Sequence, residues 1–173
     1  MITCLPFMVI VFSFLRQALG LQQSPPNMMI MGLAMFLTFF VMEPVFTTSW
    51  DEGLSPYMDG MITEQQAIER TLTPFRSFME ARVEPETIER LAATMPERNY
   101  DLSEAAPLPL LVTSFMLSEI KHAFQIGFVI FMPFLIIDLL VASILMAMGM
   151  MMVPPAVVSL PFKLAFFVMA DGW

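Results

Sequence analysis

Ionisable side chains are rare in the C-terminal part of this chain, which makes Glu119, Lys121, His122, Asp138 and Lys163 the residues to read first. A carboxylate at bilayer depth faces a partner, water or a protein interior, so Asp138 within an apolar run marks a site. Lys163 poses the mirror problem. Asp138 stands twelve residues before Met150 and Lys163 eleven after Met152, on opposite arms of one hairpin, so the two can meet at similar depth, within or between subunits. Glu119 is a second candidate for Lys163, and the simplest alternative is a snorkelling Lys163 with a protonated Asp138. Glu119 and His122 share a helix face, whereas Glu119 and Lys121 do not. Enzyme chemistry is poorly supplied. His122 is the single histidine and Cys4 the single cysteine. No nucleophile elbow, phosphate-binding loop or zinc-protease motif occurs. Catalytic residues, metal ligands and cofactors are therefore expected to be none, and His122 reads as structural.

The other chemistry-bearing stretch is Met148, Gly149, Met150, Met151, Met152, Val153, Pro154 and Pro155. It links two apolar segments, residues 126–147 and 156–173, and carries no charge, unlike membrane turns that end on Lys or Arg. Pro155 biases Pro154 away from the α region, so the first arm should end near here. Gly149 lets the backbone bend closely. Met is soft and repacks readily. A ring of such loops would form a deformable seal; the plainer reading is membrane hydrophobe, and with nineteen Met in the chain both stay open. Met146/Met150 and Met148/Met152 also have M-x-x-x-M spacing, and thioethers suit Cu(I). A Cu(I) or small-solute transporter is thus an alternative, although no second Met, His or Cys cluster offers a receiving site.

These residues need an apolar frame to hold them. The chain has 173 residues, 57% of them hydrophobic and 14% charged, with mean hydropathy +0.72. This exceeds the apolar share of ordinary soluble domains. The expectation is an all-α integral membrane protein built of helical hairpins, with lipid around it and one polar insert. A formal net charge of -8 argues against nucleic acid as a partner.

Three regions follow. Residues 1–46 hold two membrane helices. The first reads as cut short because Met1 opens inside an apolar run; Trp173 likewise ends one. Its only nearby charge, Arg16, follows the run, unlike a signal peptide. A turn from Gly20 to Asn27 leads into residues 28–46, where Pro44 should end or kink the helix. Residues 47–109 form the acidic, mostly helical insert, with twelve acids and five Arg. The lack of Lys, with Arg16 in the preceding turn, places it outside the cytoplasm. Thr63 and Gln66 fit a capping box. Ile68, Leu72, Phe75 and Met79 form a helical stripe, which Thr73 and Pro74 should split into two short helices. Pro85 opens another helix, ending near Met95 and Pro96. Residues 110–173 form the C-terminal hairpin with the Met-rich loop at 148–155, its first arm interrupted only by Pro133 and Asp138.

The ordered set FLRQALG at 14–20, PPN at 25–27, LTFF at 37–40, SEIKHAFQIGF at 118–128, PFLIID at 133–138, MGMMMVPP at 148–155, LPFK at 160–163 and DGW at 171–173 resembles the FliP family of flagellar type III export-gate proteins. The insert matches in position and acidity more than in residues. Members of the family have a longer N-terminus with a signal peptide and continue past the Trp. The resemblance implies a homo-pentamer that assembles with FliQ and FliR into a right-handed helical cone, of which this chain would be a protomer. It implies FlhA and FlhB as further partners in the export apparatus, and unfolded flagellar axial proteins as the cargo. Virulence secretion systems use homologous proteins. The family's pore gasket maps onto Met148, Met150, Met151 and Met152, with Gly149, Pro154 and Pro155 shaping the loop. The implied location is the bacterial inner membrane and flagellar basal body, with the cone largely periplasmic. Glu119, Lys121, Asp138 and Lys163 would then lie between subunits, not in lipid.

Overall fold

Apolar runs broken by Gly and Pro give helices and short turns, and a computed structural model describes residues 2–21, 25–94 and 106–170 in this way. The order is α1 (Leu5–Ala18), α2 (Asn27–Ser49), a π-turn (Trp50–Leu54), α3 (Ser55–Met58), α4 (Glu64–Glu80), α5 (Pro85–Thr94), α6 (Leu108–Ala147) and α7 (Pro155–Met169). No strand occurs among the described residues. The all-α expectation holds. Two helical stretches, Asn27–Met58 and Leu108–Ala147, are long and apolar enough to cross a membrane. The 40 residues of α6 amount to about 60 Å, twice a hydrocarbon core, while α7 reaches only about 22 Å.

Pro44, Pro74 and Pro133 lie inside continuous helices, and at Pro74 this overturns the expected division into two short helices. α2 does not end at Pro44; it continues to Ser49 and through the π-turn. A helical proline removes one i→i−4 bond, and neighbouring hydroxyls can satisfy freed carbonyls. Thr47 and Thr48 do not do so here: they donate to the carbonyls of Glu43 and Pro44 at 2.9 and 2.8 Å, one turn past the Phe40 carbonyl that Pro44 leaves without its donor. α4 is likewise one helix through Pro74. Thr73 does not cap a new helix there, because its hydroxyl donates backward to the Glu69 carbonyl at 2.8 Å. α6 runs unbroken through Pro133. Thr63 is the N-cap of α4, and its N–H donates to Gln66 Oε1 at 3.3 Å. Pro85 opens α5 as expected; its expected stop at Met95 and Pro96 lies outside the described residues.

The chain divides into two compact units. The first comprises Met1–Met8 and Leu33–His122. Its core is Met79, Leu111 and Phe115, ringed by Ile2, Phe78, Val83, Leu108 and Val112. Phe78 and Phe115 meet edge to face at 6.0 Å. The π-turn packs on α4: Ser49 Oγ donates to the Thr71 carbonyl at 2.8 Å, and Gly53 is buried against Thr71.

The second unit comprises Val9–Gly32 and Ala123–Trp173. Phe14 lies edge to face with Phe124 at 5.3 Å and sits over Gly127, where a Cβ would come within 2.5 Å of its ring. Phe134 and Phe166 join α6 to α7 at 5.7 Å. α1 ends on Gly20 at φ 75°, and Arg16 from its last turn donates to Asn27 Oδ1 at the start of α2.

Candidate functional site

The Met loop begins where α6 is stopped. Gly149 takes φ 76°, its N–H donates to Met146 O at 3.1 Å, and the Met150 N–H reaches back to Leu145 O at 2.9 Å. This pair of bonds is the Schellman arrangement, which satisfies the last carbonyls of a helix and favours Gly at the left-handed position. Pro154 is the N-cap of α7, at ψ 119°, and Pro155 is its first residue. A proline suits that first position because its missing N–H has no intrahelical acceptor. Both ends of the loop are therefore fixed by backbone chemistry. Its side chains are not covered: Met148 and Met150 are exposed, Met151 is 84% exposed and Met152 98%.

Behind the loop, α6 and α7 carry the charged pair. Lys163 Nζ lies 2.6 Å from Asp138 Oδ2, and Ser159 Oγ donates to Asp138 Oδ1 at 2.6 Å. Lys163 is 2% exposed and Ser159 is fully buried. Gly20 brings its backbone close to this ammonium; a Cβ there would stand 3.6 Å from Nζ. Asp138 borders a cavity of about 540 Å³ lined also by Ser13, Arg16, Gln17 and Gly20. An ammonium removed from water keeps its charge only where a carboxylate and further hydrogen bonds replace the hydration it loses.

The other two predicted charges belong to the first unit and have separate partners there. Glu119 is 1% exposed and takes Arg82 at 3.1 Å. Arg82 also lies over the Phe78 ring, 5.1 Å from its centroid. Lys121 pairs with Glu84, whose second oxygen receives His122 Nε2 at 3.1 Å. The Glu84 N–H donates to Ser118 Oγ at 3.2 Å. The turn between α4 and α5 is thereby clasped to four positions of α6. Within each chain unit, then, Lys163 takes Asp138 and Glu119 takes Arg82. Arg82, Glu84, Ser118 and Ser159 were missed by sequence reasoning. Ser159 alone had a local signal, standing one helical turn before Lys163 on the same face.

The clasp has a pH signature. The hydrogen bond from Lys121, with the charges of Lys121 and His122, holds the Glu84 carboxyl below its ordinary value of 4.5. A depressed folded-state value means the stabilisation is complete above the ordinary range and is lost as pH falls through the folded value. The difference in unfolding midpoint between the native chain and Glu84→Gln is therefore expected to be fully present at about pH 5 and to shrink on further acidification. A difference that grows with acid would show that Glu84 is destabilising where it stands.

Comparison with known proteins places this arrangement in context. The profile of the FliP family matches residues 1–173. The flagellar biosynthetic protein FliP of Agrobacterium fabrum is 47% identical over 175 aligned residues, covering 100% of this chain and 71% of that protein. The protein of the same name from Pectobacterium carotovorum is 50% identical, with 100% and 67% covered. The Bacillus subtilis protein of that name is 47% identical, with 100% and 78% covered. A match along the whole length shows that the chain belongs to the FliP family, the flagellar biosynthetic proteins of the export apparatus.

Proposed function

We propose that this chain is a non-catalytic subunit of the flagellar type III export gate, in which the Met loops of several copies converge to close a conduit for unfolded flagellar axial proteins. The assembly is a homo-pentamer with FliQ and FliR, working beside FlhA and FlhB in the inner membrane and at its periplasmic face. The observation that carries this reading is the exposure of Met148, Met150, Met151 and Met152 on a charge-free loop whose two ends are pinned. Thioether side chains that find no cover within one chain gain it when copies bring them together around an axis. A gate for many unfolded sequences cannot depend on a shape-specific lock. It needs a surface that is apolar when closed and yields when threaded, and flexible Met provides both. Asp138 and Lys163 hold the two arms at fixed register behind the loop, so that the side chains yield and the hairpin does not.

The test is replacement of Met150, Met151 and Met152 by Ala. In liposomes holding the assembled gate, ion and small-solute leak is expected to rise severalfold over the native complex. A membrane that stays tight, or cells that export normally without leak, would overturn the seal. Stoichiometric Cu(I) uptake by the native loop would move the chain to the transporter class.

A further inference from the structure

The hairpin that opens the insert leaves one of its two edges uncovered. The π-turn and α3 run antiparallel to α4, with Ser49 and Gly53 against Thr71 and Phe46 against Phe75 at 5.8 Å. Helical spacing sets Trp50, Leu54 and Tyr57 on the face of Phe46, and Leu72 and Ile68 on the face of Phe75. These five residues are 37–54% exposed. Together with Phe46 they present roughly 500 Å² of largely apolar surface, at the upper end of what a monomer exposes without a use for it.

Lipid would not reach most of this stripe. If the apolar run that ends at Phe46 spans the hydrocarbon, Leu54 lies about 12 Å and Tyr57 about 16 Å further along the helix. The interfacial zone on each side is only about 5–8 Å deep. A second copy is also a poor match. Asp51, Asp59, Glu64 and Glu69, all exposed, stand beside the stripe residues along the chain, so its occupant must bring positive charge. Among the described residues, every Arg and Lys except Arg70 is already held by an oxygen of its own chain. A chain with formal net charge -8 has little cationic surface to offer its own copy.

We propose that the face formed by Phe46, Trp50, Leu54, Tyr57, Ile68 and Leu72 docks a short amphipathic helix of a different protein, one with Lys or Arg flanking its apolar side. The apolar stripe supplies the contact, and the acidic border selects the partner and its orientation. An area of this size suits a partner that binds reversibly, because it falls below the roughly 800 Å² per side of stable complexes. The inference uses the membrane placement of α2 and does not require the Met seal.

The test uses the full chain in nanodiscs of zwitterionic lipid with Trp173→Phe, which leaves Trp50 as the only tryptophan. Two synthetic helical peptides share one Leu/Phe face and differ only in Lys or Glu flanks. The Lys peptide is expected to shift Trp50 emission to the blue, saturably, and to bind about tenfold more tightly than the Glu peptide, with the margin falling in high salt. Ile68→Asn with Leu72→Asn, both at exposed positions, is expected to abolish the shift. Equal binding of the two peptides would overturn the proposal, as would binding that survives the double substitution. Quenching of Trp50 by brominated lipid before any peptide is added would assign the stripe to the membrane. Disulfide-linked dimers of Tyr57→Cys would assign it to a second copy. The Met150–Met152 alanine variant is expected to bind the Lys peptide as the native chain does, so the two readings fail independently.

Discussion

Asp138→Ala is expected to destabilise the hairpin by up to about 3–5 kcal/mol, the cost of removing one partner from a fully buried ion pair, which bounds the loss here because Asp138 itself is 34% exposed. The cost arises on Lys163, which is 2% exposed and would lose the carboxylate that now stands 2.6 Å from its Nζ. Ser159, which donates to the same carboxylate, would lose that acceptor as well. Unfolding in mixed micelles, followed by helical circular dichroism, measures the loss. The double variant Asp138→Ala with Lys163→Met is expected to recover most of it, since apolar residues of similar size often replace such pairs at little cost. A native-like midpoint for the single variant would mean that the adjoining cavity hydrates Lys163 and the pair contributes nothing. Asp138→Lys places two cations together, and the assembled complex is expected to weaken on a native gel. An intact complex after that change would remove the pair from any role in assembly.

Gly53→Ala should have the second large effect, and its sign opposes helix propensity. In an open helix this change stabilises by up to about 1 kcal/mol. At Gly53 the added Cβ would stand 2.2 Å from Thr71 Oγ1, 2.8 Å from Thr71 N and 2.9 Å from Thr71 Cα. Two of those three atoms belong to backbone, so a rotamer change cannot relieve the clash and α4 itself must shift. Overpacking of this kind costs about 1–3 kcal/mol. It should also lengthen the bond from Ser49 Oγ to the Thr71 carbonyl. Gly32 in α2 is the internal control, because nothing lies within 4 Å of its Cβ position. Gly32→Ala should be neutral or stabilising under the same thermal melt. If both substitutions behaved alike, the close approach of the π-turn to α4 would be absent in solution.

Local chemistry was legible in the sequence where the signal and the structure share a length scale. Thr63 and Gln66 announce the start of α4 because a capping box is complete within four residues. Gly149 and Pro154 delimit the Met loop because left-handed backbone and a missing N–H act on the spot. The prolines show where such rules fail. Pro44, Pro74 and Pro133 each remove one donor, yet the turns on either side keep the helix going. The π-turn at Trp50–Leu54 had no signal of its own; it follows from the packing of Ser49 and Gly53 on Thr71. The clasp was hidden for a different reason. Glu84 stands 37 residues before Lys121, a separation no helical period reports. Counting outward from the Met loop did place Asp138 and Lys163 at one depth, because a hairpin converts sequence distance into height along both arms.

The way α6 ends has a mechanical consequence. Gly149 closes one side of the loop with two backbone bonds, and Pro154 and Pro155 stiffen the other. With so short a strap between two anchored posts, the main chain has no slack to swing aside. Under the proposed seal, any widening at this point comes from torsion within the methionine side chains, like bristles parting around a thread, from unwinding the final turn of α6, or from whole hairpins moving apart. The first is fast and graded; the second would be slow and abrupt.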